Sequence, residues 1–552
     1  MRAASPGGTF ANDVQSGKTE STKCSLPDPD EVTLCELNGA LENIKSNDDP
    51  ALERFAKAGG ILYPSIKLPY EVDDASRTSS HSYANWSSKT RSSVYPIISH
   101  ITSLDFWIAT QAHLKAIAEN ACRLMNGKAN IQLQHMEYYT TLLQDMQRAP
   151  VRTLAWHHSR QVLAIVHRQD SVHIYDVVAE RWFPRPTLGL NHPYQRDVTC
   201  AVWNPHGAPV LAVGSKYGVC LWRLLFEQTG FQQGGDANFD RDTVPALFDE
   251  VHPGYAWMNF LRVPGFESIT TLAWSPDGQF LAMGSGTNSA IIIWDVAAEV
   301  PTSISRPCKG TAELKWSPDG MFLIQACTTH RLIIWETRTW EGKSLPTHHG
   351  RPHSVCWMPD SKMFMFAMEG SDQISVWQMN SPPPHLECKD VYTLPVPMRI
   401  SRTSAGTMLK VGGVIKRMSF DPTGERLALA FEGDHLGAEL IYLLAVRTRP
   451  LPKFQPLGYI RGPKWNPREP QPQPPRSPYR QEVDAPERGH TRITTTSNWE
   501  ASPQNQRPVE RSGNNAPPLP MALGFHPQFG RGALLTVVWE NGKIGCVPLY
   551  FG

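Results

Sequence analysis

From about residue 150 onward, short apolar runs alternate with turn residues, and the same unit returns seven times. Each unit is an apolar strand that ends in Trp or Phe, a short turn often containing Pro and Gly, and a second apolar strand. Alternating β-branched and aromatic runs joined by such turns are typical of stacked antiparallel strands. The aromatic residues that end the first strands are Trp156, Trp203, Trp274, Trp316, Trp357, Phe420 and Phe525.

A third strand follows each pair, usually ending in an aromatic residue and sometimes in an acidic one, as in Trp294-Asp295. We interpret that aromatic residue as packing between units and therefore as structural. Trp274, Trp316 and Trp357 are 42 and 41 residues apart, which matches the roughly 40–45 residues of a four-stranded propeller blade. The pattern predicts an all-β chain folded as a seven-bladed WD-repeat β-propeller.

The predicted seventh blade lacks an outer strand of its own, because only Phe551 and Gly552 follow its last apolar run. A ring left open exposes a strand edge, which is an aggregation liability. We therefore expect the N-terminal region to donate a closing strand. The preferred candidate is Val32 to Leu37, and the run Ile61 to Lys67 is the alternative.

The other intervals between the repeated aromatic residues are 47, 71, 63 and 105 residues, and their excess falls in polar, Pro-containing stretches. Residues 224–267 and 380–413 are predicted as insertions between blades two and three and between blades five and six. Residues 447–520, rich in Pro, Arg, Gln and Asn, are predicted as a disordered insertion between blades six and seven. Residues 1–30 are predicted as a disordered N-terminus, and residues 151–552 as the propeller.

The N-terminal segment, residues 31–150, also contains a short helical segment. Apolar residues recur at steps of three and four, which predicts a helical hairpin at about 103–147 with Ser103 as its N-cap. We expect the hairpin to pack on the propeller, and a partner-binding element is the alternative. The two apolar sets, separated by Asn126-Gly127, are Leu114, Ile117, Ala121 and Leu124, then Leu133, Met136, Tyr139, Leu143 and Met146.

Charge and composition remove several classes of function. Lys plus Arg number 53 against 52 Asp plus Glu, so no long-range field would gather nucleic acid or an anionic membrane. No stretch of about 18 apolar residues occurs, and the start lacks the apolar core of a signal peptide, so no membrane span is expected. The 10 Cys include no C-x-x-C pair and mostly lie in apolar runs, which indicates reduced thiols in a cytosolic or nuclear protein.

No motif predicts a catalytic, cofactor or metal site. The phosphate-loop, zinc-protease and nucleophile-elbow patterns are absent. His348, His349 and His353 could be drawn as metal ligands, but His348 lies nine residues before Trp357, about where WD repeats place a structural histidine. We interpret His157-His158 as a solvated turn.

Two acidic turn residues also have structural interpretations. Asp170 and Asp372 precede third strands, where a carboxylate accepts backbone N–H bonds. An enzyme built on a propeller needs titratable groups that converge on the central channel. The runs LAIV, LAVG, LAMG and LALA, which we interpret as the inner strands, supply almost none. Catalysis is therefore not expected.

The last blade is the most specific part of the sequence. GFHPQFGRGALLTVVWENGKIGCVPLYF, residues 524–551, closely resembles the C-terminal blade of the aladin family of WD-repeat nucleoporins. The strings LAWHHSRQVLAIVHRQDSVHIYDV from Leu154, TLAWSPDGQFLAMGSGTNSAIIIWDV from Thr271 and EVTLCELNGAL from Glu31 are also similar to that family. The insertions after Trp222 and Arg447 are longer than is usual there.

The resemblance implies a non-catalytic scaffold subunit of the nuclear pore complex, at the nuclear envelope. Its expected partners are other nucleoporins, in particular an integral membrane nucleoporin, and its expected role is to support nuclear protein import. Direct nucleic-acid binding is not expected. The alternative is a WD-repeat adaptor in another complex, such as a substrate receptor of a ubiquitin ligase, because one propeller fold hosts many functions.

Overall fold

A computed structural model arranges the chain as a ring of seven β-sheets. The predicted all-β, seven-bladed propeller is confirmed. Within the described ranges the chain contains 31 strands and two helices, α1 (Pro50–Lys57) and α2 (Ala129–Gln147). The structure describes residues 26–46, 49–66, 68, 129–147, 149–183, 189–206, 209–224, 256–347, 350–379, 386–433, 435–448, 452–463 and 517–551.

Blades one to three are four-stranded sheets whose strand order follows the chain. Blade one contains β3 (Val151–Trp156), β4 (Val162–His167), β5 (Val172–Asp176) and β6 (Arg181–Phe183). Blade two contains β7 (Cys200–Trp203), β8 (Val210–Ser215), β9 (Gly218–Leu224) and β10 (Ala256–Leu261). Blade three contains β11 (Ile269–Trp274), β12 (Phe280–Ser285), β13 (Ala290–Asp295) and β14 (Val300–Ser305).

Blades four to six repeat this arrangement. Blade four contains β15 (Thr311–Trp316), β16 (Phe322–Cys327), β17 (Arg331–Glu336) and β18 (Gly342–Pro346). Blade five contains β19 (Pro352–Trp357), β20 (Met363–Met368), β21 (Gln373–Met379) and β22 (Cys388–Pro395), and a separate hairpin of β23 (Arg399–Arg402) and β24 (Met408–Val411) follows. Blade six contains β25 (Ile415–Phe420), β26 (Arg426–Phe431), β27 (Ile441–Arg447) and β28 (Lys453–Ile460).

Blade seven combines the two ends of the described chain. Its C-terminal strands are β29 (Pro520–Phe525), β30 (Gly532–Trp539) and β31 (Ile544–Tyr550). The N-terminal strands β1 (Val32–Leu37) and β2 (Ala40–Ile44) extend the sheet in the order β2-β1-β31-β30-β29. The predicted closing strand therefore exists, and it brings a second strand with it.

The closing strand runs parallel to its neighbour. Glu36 and Leu37 pair with Leu549 and Tyr550 of β31 in parallel register, whereas every other strand pair of the blades is antiparallel. The alternative closing segment, Ile61 to Lys67, also contacts β31, because Ile66 forms an antiparallel bridge with Ile544. Two N-terminal segments thus cover different halves of one strand edge.

Residue types explain the local geometry of the blades. In the Pro-Asp-Gly turns between first and second strands, Gly278 and Gly320 have φ of 71° and 73°, a conformation that costs glycine little. The second strands, such as β4, β16 and β26, are buried along their whole length. They pack between neighbouring blades on both faces, so their sequences are continuous apolar runs and not alternating ones.

The runs LAIV, LAVG, LAMG and LALA, which we interpreted as the inner strands of the ring, lie in the second strands of their blades. That interpretation is wrong, because the second strands do not line the channel. The first strands, β3, β7, β11, β15, β19, β25 and β29, contact one another in sequence, and β29 contacts β3. The channel is therefore lined by first strands, which carry polar side chains such as Glu313, Lys315 and Arg417. A strand whose residues are all apolar is therefore buried between two blades and does not line the channel.

The insertions are shorter than predicted, because each predicted range includes an outer strand. Residues 224–267 contain β10, 380–413 contain β22 and the β23–β24 hairpin, and 447–520 contain β28. The first of these insertions consequently lies inside blade two and not between blades two and three. Residues 225–255, 380–385, 464–516 and 1–25, on which the remaining predictions of insertions and disorder fall, lie outside the described residues.

Only the second half of the predicted helical hairpin is described, as α2. The proposed first helix and Ser103 lie outside the described residues. Tyr139 and Met146 of the predicted apolar set are buried, whereas Met136 is exposed. Of the described helices, neither has the length and apolar character that crossing a membrane requires.

Candidate functional site: the clasped ring and its two faces

The aromatic residues that end the first strands connect neighbouring blades. In five blades this residue is Trp, and its indole N–H donates to the preceding blade, whereas Phe420 and Phe525 occupy the position without a donor. Each bond links a blade to the blade before it. The bonds are Trp203 to Ala155 O (3.0 Å), Trp274 to Val202 O (3.3 Å), Trp316 to Ala273 O (3.1 Å), Trp357 to Lys315 O (3.2 Å) and Trp156 to Thr536 Oγ1 (3.1 Å).

The structure places Trp294 and Asp295 at the end of β13. The Trp294 ring is buried in the core shared by blades two and three. Asp295 Oδ1 accepts the backbone N–H groups of Ala297 and Ala298 at 3.1 and 2.9 Å. Both side chains thus have structural contacts, one with the core and one with the turn that follows.

A polar network between blades one and two was not foreseen in full. Asp170 Oδ1 accepts the backbone N–H of Val198 at 2.8 Å, as expected of a turn carboxylate, and also forms a buried ion pair with Arg152 at 2.6 Å. Gln195 donates to the carbonyl of Asp170 at 2.6 Å and accepts from the indole of Trp222 at 2.8 Å. Blade four has a related Trp–Gln pair, Trp335 and Gln325, at 3.0 Å.

The histidines differ from their sequence interpretation at one position. His157 is buried and not part of a solvated turn, because its ring stacks on His158 at 4.6 Å and meets Trp203 edge-on at 4.9 Å. Its Nδ1 accepts the N–H groups of Ser159 and Arg160. Burial, with smaller contributions from neighbouring charges, lowers the pKa of His157 to about 4.

Of the three histidines that were weighed as metal ligands and set aside, only His353 is described. His353 Nε2 lies 3.1 Å from the carbonyl of Ile415, which links blade five to blade six. His348 and His349 lie outside the described residues. Among the residues whose positions are described, no three His, Cys, Asp or Glu side chains lie close enough together to hold a metal ion.

Acid is expected to destabilise the fold between pH 6.5 and 4 through His157. The unfolded histidine takes up a proton near pH 6.5, whereas the folded one does so near pH 4, so stability is full above pH 6.5 and falls as the pH drops through this window. The loss reaches about 3 kcal/mol for this residue at 1.36 kcal/mol per pKa unit. Urea midpoints measured from pH 7 to 4 test it.

The matched variant for this experiment is His157→Asn, since an amide oxygen can accept the two N–H bonds that Nδ1 accepts. We expect a flatter pH dependence than in the wild type. His330→Gln, at an exposed position, is the control and should leave the pH dependence unchanged. Equal slopes for wild type and His157→Asn would contradict the assignment.

The N-terminal clasp, residues 26–46, joins blade seven to blade six through a buried ion pair. Glu36 of β1 is fully buried, and Arg426 of β26 donates to its two carboxylate oxygens from Nη2 at 2.6 Å and from Nε at 2.9 Å. The guanidinium also lies over the Phe551 ring, 3.8 Å from its centre. Burial raises the pKa of Glu36, and the hydrogen bonds from Arg426 act against that rise.

Further polar contacts hold the same segment. Thr33 and Arg461 exchange two hydrogen bonds, from Thr33 N to Arg461 O at 3.2 Å and from Arg461 N to Thr33 Oγ1 at 3.0 Å. Asp28 accepts bonds from the Ser404 hydroxyl and, at 2.8 Å, from the Ala405 N–H, at the tip of the β23–β24 hairpin. Burial alone would raise the pKa of Asp28, but these hydrogen bonds outweigh it and hold the pKa below its usual range.

The chain after the clasp packs on the last strand of blade seven. Phe55 of α1 is buried against Tyr550, with ring centres 6.3 Å apart. The Tyr550 hydroxyl accepts the N–H of Ile61 at 2.9 Å. Arg531 donates to the carbonyls of Ala58 and Gly59 at the C-terminal end of the helix, both at 2.6 Å. Residues 26–46 and 49–66 therefore both pack on the blade-six and blade-seven side of the ring.

Helix α2 lies across one mouth of the channel. It packs against β3 of blade one, and its Tyr138 lies under the Arg351 guanidinium at the start of blade five, 4.4 Å away. The charge of Asp145 acts on Lys416 of blade six, and burial raises the pKa of Tyr138 to about 12. Contacts with blades on several sides of the ring place the helix over the opening.

These features define the class: the protein is a WD-repeat β-propeller whose ring is closed by its own N-terminal strand. The WD domain, G-beta repeat, matches residues 260–295. Over 538 residues the chain is 26% identical to Aladin of Arabidopsis thaliana, which covers 96% of this chain and 98% of that protein. The chain is an aladin-like WD-repeat protein.

Solved structures also resemble the chain. The β-propeller domain of Cps50 (Swd1) from Myceliophteria thermophila matches with a TM-score of 0.44 and 13% identity, covering 72% of this chain and 96% of that one. A chain of the Mitotic Checkpoint Complex matches with a TM-score of 0.37 and 20% identity, covering 51% of this chain and 73% of that one.

Proposed function

We propose that this protein is a non-catalytic scaffold subunit of the nuclear pore complex, located at the nuclear envelope. The observation that carries the proposal is the similarity to Aladin along nearly the whole length of both chains. The strings of the sequence that resemble the aladin family include residues of the N-terminal clasp and of the last blade, which together close the ring. The aladin family consists of WD-repeat nucleoporins, so the expected partners are other nucleoporins.

The architecture supports a binding role for the ring. Cores shared between adjacent blades, Trp bonds between blades and the clasp give a rigid body with turns on both faces. The polar groups described above, including Asp170, Asp295 and Glu36, are occupied by backbone or ion-pair contacts. Such groups stabilise the fold, whereas a catalytic group has to meet a substrate.

The finer proposal is that the ring docks to an integral membrane nucleoporin and supports protein import. Neither nucleic acid nor membrane lipid is a proposed ligand, since the chain has 53 basic against 52 acidic residues. A protein partner is consistent with the exposed turns of a propeller, which offer shape and hydrogen-bonding groups without a strong field.

The test is to tag the protein at its own locus and combine imaging with proximity labelling. We expect a punctate nuclear rim and enrichment of a transmembrane pore protein, and we expect depletion to slow import of a fluorescent cargo carrying a nuclear localisation signal. Expression of the untagged protein should restore import. Diffuse cytosolic signal, or enrichment of ubiquitin-ligase subunits without pore proteins, would support the adaptor alternative instead.

A further inference from the structure

A cavity of about 450 Å³ lies at the end of the ring opposite α2. Helix α2 lies by the starts of the first strands, whereas this cavity is formed by the turns that follow β11 and β15. Its walls come from blades two, three and four. We call it the two-tryptophan pocket, and the residues that matter for its chemistry are His206, Asp277, Phe280, Trp316, Asp319 and Trp340.

The two indole rings form a rigid aromatic corner. Trp316 and Trp340 meet edge to face, with centres 6.0 Å apart and planes at 82°. The Trp316 N–H is bonded to the carbonyl of Ala273, so the orientation of its ring is fixed. Both rings are only partly buried. Aromatic faces in this state can accept a flat or cationic group.

Trp340 is not required by the turn that contains it. The corresponding turns of blades one and three place Glu180 and Glu299 at this position, with φ of 50° and 56°, against 55° for Trp340. The same left-handed backbone thus accommodates a different side chain in two other blades. The Trp340 indole packs in part against the core shared by blades three and four, and the surface it leaves exposed lines the pocket, where a ligand can contact it.

Two carboxylates at the rim of the two-tryptophan pocket are held in place by hydrogen bonds to one of their oxygens. The second oxygen of each carboxylate is available to a ligand. Asp277 Oδ1 accepts from Ser275 and Gln279, and Asp319 Oδ1 accepts from the Ser317 hydroxyl at 2.6 Å and the Met321 N–H at 3.0 Å. Within the described part of the chain, the Oδ2 atoms of both residues have no hydrogen-bond partner. Both side chains are exposed.

We propose that the two-tryptophan pocket binds an arginine side chain within an extended peptide of a partner protein. The planar guanidinium stacks on an indole face and carries five N–H donors, which match two carboxylates better than a lysine ammonium does. A volume of about 450 Å³ is in the usual range for ligand pockets, roughly 300–1,000 Å³. This site is independent of the proposed location at the pore.

The test uses three labelled heptapeptides that differ only in a central arginine, lysine or citrulline, and fluorescence anisotropy with the full-length protein. Citrulline keeps the shape of arginine but loses the charge. We expect the arginine peptide to bind at least 10-fold more tightly than either of the others. Equal binding of the arginine and citrulline peptides, or no binding up to millimolar concentration, would overturn the proposal.

Variants then locate the site. The double variant Asp277→Asn, Asp319→Asn keeps an oxygen that can accept the turn hydrogen bonds but removes both charges. It should weaken binding of the arginine peptide about 10-fold. Trp340→Leu, which removes the indole, should weaken binding by a similar factor. The matched control is Asp360→Asn, because Asp360 bonds to the N–H of Lys362 in the equivalent turn of blade five but does not line the pocket. Near-ultraviolet circular dichroism checks the fold. An unchanged affinity in the double variant, or an equal loss in the control, would refute this location.

Discussion

Removing residues 1–46 is expected to lower the free energy of unfolding by more than about 3–5 kcal/mol and to make the protein associate. That range is the cost of leaving one buried charge without its partner, and Arg426 loses Glu36 in this variant. The deletion also removes the Thr33–Arg461 bonds and uncovers the edge of β31, and unpaired edges promote association. Thermal unfolding and light scattering measure both effects.

The matched control is removal of residues 1–25, which deletes none of the described contacts. We expect its melting temperature to remain within a degree or so of the wild type, and the sample to remain monodisperse to the same extent. If the 1–46 deletion melts at the wild-type temperature, the N-terminal clasp does not stabilise the ring, and closure has to rest on residues 49–66, which include the Ile66–Ile544 bridge.

The inner three strands of each blade were predictable because their burial is visible in the sequence. A strand packed between two sheets consists of apolar residues along its length, as in β16, and the Pro-Asp-Gly turns mark where it begins. The closing strand was predictable by a different argument, since a seventh blade with three strands leaves an unpaired edge. The sequence of the closing strand does not indicate that it pairs with β31 in parallel.

The outer strands were missed because they lie at the surface. Five of the six residues of β14 are exposed, and β22 has mostly exposed residues as well. A strand with little burial has no apolar periodicity, so its sequence resembles that of a polar loop. The same reason explains why residues 453–460, in a Pro-containing stretch, were assigned to an insertion although they form β28.

The candidate sites were still less predictable, because they depend on residues far apart in the chain. The turns that carry Asp277 and Asp319 were recognised as turns, but a single turn does not indicate a cavity. The pocket exists only because blade packing brings these turns beside His206 and Trp340. Likewise, Glu36 and Arg426 are 390 positions apart, and neither has neighbours in sequence that reveal the pair.

Replacing Glu36 alone with alanine is expected to lower the free energy of unfolding by about 3–5 kcal/mol, because Arg426 would then be a buried charge without its partner. The guanidinium of Arg426 is held between β1 and Phe551 and cannot reach water without disturbing the clasp. Urea unfolding followed by tryptophan fluorescence gives the change in midpoint. The control is Glu42→Ala, which removes the ion pair with Arg54 at the surface and should have little effect.

A double-mutant cycle separates the ion pair from simple loss of packing. In an Arg426→Met background no charge remains to be compensated, so Glu36→Ala should cost much less than it does in the wild type. The expected coupling free energy is about 2–3 kcal/mol, at the upper end for residues in direct contact. Additive costs would mean that Glu36 acts only through its packing. A coupling of the expected size would show that closure of the ring depends on a charge pair between its first strand and blade six.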